Sequence, residues 1–198
     1  MRGEWAFYES LLSEQECRDI IAAGTRFAPQ TGTVGGEYGD GSDVEKTIRH
    51  GEVVFLQRTD PQFAQVFHTL DYCVNEANDQ WFGVRYNPQG ARSLQFSIYR
   101  GDAEGGGHFY NTHQDTSLIS ADSPTQRKLS VVVQLSDADE YEGGDFQMHH
   151  VKAHPPADSI RKRGTVLIFP SLLLHRVTPV TSGVRYSLVG WYVGPPWK

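Results

Sequence analysis

In Ser93–Arg100 apolar and polar side chains alternate without a break. Leu94, Phe96 and Ile98 fall on one face, and Gln95, Ser97 and Tyr99 fall on the other. Only an extended strand, with its side-chain period of two, sorts residues this way. Such a strand must bury its apolar face against a second layer. Its polar face then meets either solvent or a polar interior. Further strands are predicted at 52–58, at the β-branched run 129–135, at 166–169 and at 186–193, with Gly143-Gly144 as a hairpin turn.

Two helices precede most of these strands. One is predicted over 13–24, where Ser13 and Glu16 form a capping-box pattern, Leu12, Cys17, Ile20 and Ile21 form the apolar stripe, and Gly24 is the stop. The second starts at Asp60-Pro61, an N-cap followed by proline at the first helical position, and runs to about 80 with Phe63, Val66, Phe67, Leu70 and Val74 on its buried face. The order predicts a mainly β fold, a sandwich or open barrel with flanking helices packed outside. If the helices cover the apolar face of Ser93–Arg100, the polar face with Tyr99 lines the interior. A polar interior is costly unless it holds water, a metal or a ligand.

The 198 residues suffice for one domain with a substantial core, and 21% charged residues suit a globular chain. A net charge of -6 argues against a general grip on nucleic acid. The local basic run Arg161-Lys162-Arg163 is read as a solvated turn. Cys17 and Cys73 sit in predicted helices beside apolar residues and are expected to be buried free thiols. The first residues carry no apolar signal region, and no apolar stretch reaches eighteen residues, so a cytoplasmic protein without a membrane span is expected. Residues 29–51 hold six glycines and few apolar side chains. Such a loop is read as a mobile segment beside a site entrance, or equally as a strand pair with a loose tip.

His113-Gln114-Asp115 places an imidazole and a carboxylate two residues apart, where an extended segment turns both to one side. Alone, that pattern most often marks a surface histidine. Here a buried strand ends at Pro170, a short turn delivers His175, and another strand opens near Arg185 with Arg185, Ser187 and Trp191 in one parity. Two imidazoles and one carboxylate suit Fe(II) with open positions, although zinc accepts the same donors. A guanidinium fork with a neighbouring hydroxyl suits a carboxylate. His149, His150 and His154 lie in a polar turn region and are read as exposed, and His108 as a non-ligand.

These residues resemble the Fe(II)- and 2-oxoglutarate-dependent dioxygenases, closest to the prolyl 4-hydroxylase-like, PKHD-type branch. The resemblance covers about 95–191. It is carried by Tyr110-x-x-His113-x-Asp115, the 129–136 strand, Tyr141-Glu142-Gly143-Gly144-Asp145-Phe146, Phe169-Pro170-Ser171, His175-Arg176-Val177 and Arg185-Tyr186-Ser187-Leu188. It implies a double-stranded β-helix (jelly-roll) core over about 91–195, with helical support over about 1–90, in one domain spanning 1–198. It implies His113, Asp115 and His175 as iron ligands, and Arg185 with Ser187 as receptor for the distal carboxylate of 2-oxoglutarate. Tyr99, Tyr110 and Gln134 would lie around the co-substrate, with Gln134 standing where several relatives have tyrosine. Arg127 and Trp191 would face the substrate. Arg185 stands where collagen-type prolyl hydroxylases use lysine. The implied activity is hydroxylation of a proline-containing peptide or protein, using Fe(II), 2-oxoglutarate and O2, with ascorbate as a reductant. Hydroxylation of a free amino acid or small metabolite, nucleic-acid demethylation, which the net charge disfavours, and a non-catalytic cupin-like metal-binding module are the competing readings.

Overall fold

The computed structural model describes residues 3–32, 48–87, 89–116 and 124–197. Most of the glycine-rich segment, residues 33–47, and with it the expectation of a mobile loop at the site entrance, lies outside the described residues. The chain runs β1 (Ala6–Tyr8), α1 (Glu14–Gly24), β2 (Gln30–Thr31), β3 (Arg49–His50), β4 (Glu52–Gln57), α2 (Ala64–Ala77), β5 (Ser93–Arg100), β6 (Phe109–His113) and β7 (Gln126–Gln134). It continues through β8 (Tyr141–Gly143), β9 (Phe146–Met148), α3 (Ala157–Arg161), β10 (Val166–Pro170), β11 (His175–Val177) and β12 (Val180–Gly194).

Among the described residues these strands form two antiparallel sheets. The larger has the order β1-β10-β7-β12-β5-β4-β2, with β8 attached to β12; the smaller has the order β3-β6-β11-β9. Strand numbers far apart in sequence lie side by side, as a jelly-roll requires. The region before residue 91 supplies four strands to the two sheets as well as the two main helices.

Helix α1 begins as predicted. Ser13 Oγ accepts from the Glu16 amide at 3.3 Å, and Glu16 Oε2 accepts from the Ser13 amide at 2.8 Å. Gly24 has a different role from the expected stop. It remains helical, Thr25 caps the end, and a Cβ on Gly24 would come within 2.8 Å of the Phe96 ring. The glycine permits close packing of α1 on β5. Asp60 accepts from the Gln62 amide at 3.1 Å and opens a 3-10 turn, which leads into α2.

The main core lies between the helices and the outer face of the larger sheet. Phe67, Leu70 and Val74 of α2 meet Leu94, Phe96 and Ile98 of β5, Val131 and Val133 of β7, and Leu188 of β12. Each side chain of this size stabilises by about 1.5–3 kcal/mol when fully buried. Cys17 and Cys73 are buried and free, as expected.

Two expectations are corrected. Gly143-Gly144 is not a hairpin turn: β8 pairs with β12 and β9 pairs with β11 in the other sheet, so the two glycines, at φ 69° and 62°, carry the chain from one sheet to the other. The basic run is solvated only at Lys162. Arg161 donates to Gly143 O at 2.9 Å and to Asp145 Oδ1 at 2.5 Å, and Arg163, with a side chain only 10% exposed, faces Glu14, Asp137 and Glu140. These cations hold strand connections together.

Candidate metal and keto-acid site

The inner face of the larger sheet carries the polar half of the Ser93–Arg100 alternation. Register across three neighbouring strands pairs Arg185 with Tyr99, Ser187 with both Ser97 and Gln134, and Trp191 with Ser130. Because alternate residues share a face, these side chains form one polar field opposite the helix-packed face. The smaller sheet covers it. Between them lies a cavity, lined from the larger sheet by Gln95, Tyr99, Val132, Arg185, Ser187, Val189 and Trp191 and from the smaller-sheet side by Tyr110, His113, Asp115, Phe146, His175 and Val177.

His113 ends β6 and is the direct antiparallel partner of His175 at the start of β11. Asp115 follows just past the strand, where its amide donates to Ser171 O at 3.0 Å. Potential ligand atoms of the three residues all lie within 4.8 Å of one another. Each histidine Nδ1 faces a carbonyl, Asn111 O at 2.8 Å for His113 and Leu173 O at 2.9 Å for His175. A carbonyl only accepts, so each Nδ1 carries a proton, and in the neutral ring each Nε2 is then the atom with a lone pair to offer a metal. Both Nε2 atoms lie 3.6 Å from an Asp115 carboxylate oxygen.

Burial would push the Asp115 carboxyl up, but the His175 and His113 imidazoles and Arg127 hold it well below the usual carboxylate range. Burial pushes His175 down despite the nearby Asp115, which favours the neutral imidazole that a metal needs. Two neutral imidazoles and one carboxylate, gathered on one side of a cavity, fit a divalent iron and leave the cavity side for further ligands.

Arg185 is 3% exposed, and its Nε donates to Gln134 Oε1 at 3.1 Å. Gln134 in turn donates to Ser136 O at 3.0 Å and to the Tyr141 hydroxyl at 3.1 Å. Gln134 therefore stands behind the arginine, anchoring it, and does not line the cavity. Gly144 packs on the arginine stem, where an added Cβ would lie 3.1 Å from Arg185 Cδ. Arg185 Cζ lies 5.6 Å from the centroid of the Tyr99 ring. Tyr110 stacks on His113 with ring centroids 3.5 Å apart, and burial pushes its hydroxyl up to about 12.

Arg127 lies over the Trp191 ring, 3.7 Å from its centroid, and donates to Asp115 O at 3.4 Å. A register shift between β7 and β12 pairs Leu129 with Tyr192 and Arg127 with Val193, leaving Lys128 as the bulged residue. The bulge turns Arg127 to the face that carries Trp191. Trp191 Nε1 has no hydrogen-bond partner among the described residues. His108 bonds Ile98 O through Nδ1 and stands apart from the triad, and His150 and His154 are exposed while His149 is partly buried.

Gln95 lies on the interior face where the alternation placed it, whereas Ser130, Ser171 and the apolar cavity walls were not among the expected site residues. For Ser130 a signal existed: a hydroxyl inside the buried 129–135 run needs a partner.

Residues 94–193 match the family model described as the 2OG-Fe(II) oxygenase superfamily. The chain is 39% identical over 97 residues to a PKHD-type hydroxylase of Synechococcus sp. (strain CC9311), covering 49% of this chain and 40% of that protein. It spans less than half the length of the curated relatives it matches, 40%, 45% and 48% for three of them. In fold it is similar to a prolyl-4-hydroxylase of Pseudomonas putida, with TM-score 0.67, 19% identity, and coverage of 96% of this chain and 92% of that one. It is also similar to a Trichoplax adhaerens prolyl hydroxylase solved with a hypoxia inducible factor peptide, with TM-score 0.71, 14% identity and coverage of 96% and 83%. At these identities the structures establish the double-stranded β-helix alone. The family model, by contrast, spans about half of the chain and includes all three clustered metal-binding candidates, and the chain belongs to the 2OG-Fe(II) oxygenase superfamily.

Proposed function

We propose that this protein is an Fe(II)- and 2-oxoglutarate-dependent hydroxylase acting on a prolyl residue of a peptide or protein, with 1–198 working as one domain. The observation that carries the reading is the pairing of the His113–Asp115–His175 cluster with Arg185 in one cavity. His113, Asp115 and His175 would hold the iron. Arg185 would take the far carboxylate of the keto acid by a two-pronged bond, with Ser187 and Tyr99 beside it. When bound, iron and 2-oxoglutarate together supply the activation of O2 and the transfer of oxygen to carbon.

The chain's own residues supply orientation and exclusion. The carbonyls of Asn111 and Leu173 fix both imidazoles with Nε2 toward the metal position. Gln134 keeps the guanidinium in place. Val132, Val177, Val189 and Phe146 wall the cavity with apolar surface, which limits water near the reacting centre. Tyr110 would border the metal, and Arg127 stacked on Trp191 would form the substrate wall.

The prolyl assignment draws on the solved relatives, two of which are described as prolyl hydroxylases and one of which holds a peptide. The test is succinate formation from 2-oxoglutarate with Fe(II), O2 and ascorbate as reductant, alongside mass analysis of a proline-rich peptide library. Peptide-stimulated turnover with gain of one oxygen on proline is expected. Turnover stimulated by free proline or another small molecule, with every peptide inert, would overturn the peptide assignment. Absence of any iron-dependent turnover would overturn the enzyme.

A further inference from the structure

Two hydroxyls are sealed inside the protein behind the metal-binding cluster. Ser130 of β7 and Ser171, just past β10, are both 0% exposed in a region of Val, Leu and Phe. Their oxygens lie 2.9 Å apart, and Ser130 Oγ lies 2.6 Å from Asp115 Oδ2. A carboxylate accepts and cannot donate, so Ser130 must give its single proton to Asp115. Ser130 is then left as an acceptor, and Ser171 must donate to it. The direction of both bonds is therefore determined: Ser171 to Ser130 to Asp115.

The backbone repeats the same linkage. Asp115 N donates to Ser171 O at 3.0 Å, and Ser171 N donates to Lys128 O at 3.0 Å. Ser171 thus holds Asp115 twice, once through the main chain and once through the hydroxyl chain. Strands β7 and β10 are adjacent and in register, with Ser130 opposite Phe169, so the two serines are placed by the larger sheet while the histidines are placed by the smaller one.

Resting on the metal-site reading above, we infer that Ser130 and Ser171 are positioning residues that lock the Asp115 carboxylate as a ligand through one oxygen. The Ser130 hydroxyl occupies Oδ2 and stops the carboxylate from turning. With one lone pair of Oδ2 taken by Ser130, Oδ1 is the favoured ligand atom, and the remaining coordination positions stay available for co-substrate. Partners of metal ligands of this kind typically contribute ten- to hundredfold in metal affinity.

The test uses Co(II) as the probe on the full chain, read by equilibrium titration and by the visible ligand-field bands, with thermal melting as the check on folding. Ser130→Ala is expected to bind Co(II) about tenfold more weakly and to show altered bands, because the freed oxygen can join the coordination sphere. Ser130→Thr, which keeps the hydroxyl, is expected to restore both. Ser171→Ala carries the test should Ser130→Ala fail to fold, with a smaller affinity loss and the same direction of band change expected. Wild-type affinity and bands in a folded alanine variant would overturn the inference while leaving the metal site standing. Failure of the wild-type protein to bind Co(II) would overturn the metal-site reading and this inference together.

Discussion

His113 and His175 are direct partners across an antiparallel strand pair, with ring centroids 4.3 Å apart and inclined at 55°. Their spacing is set by the hydrogen-bonded ladder of β6 and β11, and each ring is turned by a carbonyl two residues earlier in its own chain segment. A metal site built this way needs no rearrangement of backbone to form.

His175→Ala is therefore expected to abolish turnover and divalent metal binding together. A metal that binds only the folded state stabilises it by about 2.7 kcal/mol at a hundred times its Kd. The rise in melting temperature that Mn(II) gives the wild-type protein should vanish in the variant. Retention of that rise would exclude His175 as a ligand.

Arg185→Ala should separate the co-substrate from the metal. Bonds to a charged group contribute about 1.5–3 kcal/mol, which is roughly a ten- to hundredfold rise in the KM for 2-oxoglutarate. Metal affinity should change by less than about twofold, since no metal-ligand candidate contacts the guanidinium through a hydrogen bond. Equal losses in both quantities would defeat the assignment.

Gln134→Leu is expected to raise the same KM by a smaller factor, about three- to tenfold, because it removes the anchor of Arg185 Nε and leaves the guanidinium in the cavity. Steady-state titration of 2-oxoglutarate measures this. A larger effect than that of Arg185→Ala would mean that the amide itself touches the co-substrate.

Gly24→Ala sets two effects against each other. Alanine favours a helix over glycine by about 0.8–1 kcal/mol. Here the new Cβ would sit 2.8 Å from the Phe96 ring, and overpacking a core typically costs about 1–3 kcal/mol. Net destabilisation is expected in chemical denaturation. A gain in stability would show that α1 moves away from β5 at little cost.

Burial pushes the Cys17 thiol up to about 12 and the Cys73 thiol up to about 11. At pH 8 the thiolate, which is the reactive form, is then scarcer than in a free cysteine by factors of order a thousand and a hundred respectively. Neither should react with a thiol reagent until the protein unfolds, and both should react in denaturant. Rapid labelling of the native protein would contradict the packing of α1 and α2.

Several elements were legible because local pattern dictates them. The alternation in Ser93–Arg100 reappears with the same bounds, Ser13 opens the helix it was expected to open, and Asp60 caps the 3-10 turn that leads into α2. The short strands β6, β8, β9 and β11 have too few residues to show a period, and their pairings depend on partners far away in the chain. Gly143-Gly144 looks like a turn in any sequence. Whether its flanking strands pair with each other or with separate sheets is decided by what lies beside them.

The same division runs through the site. The sequence alone singled out His113, Asp115, His175 and Arg185 as candidate donors, because residue chemistry and short-range spacing are local properties. Only the tertiary structure decided that Gln134 faces the back of Arg185, that a bulge at Lys128 brings Arg127 onto Trp191, and that Ser130 and Ser171 meet Asp115. The reason is geometric. A buried hydrogen bond requires two groups within about 3 Å in a defined direction, and register between non-neighbouring strands supplies that closeness.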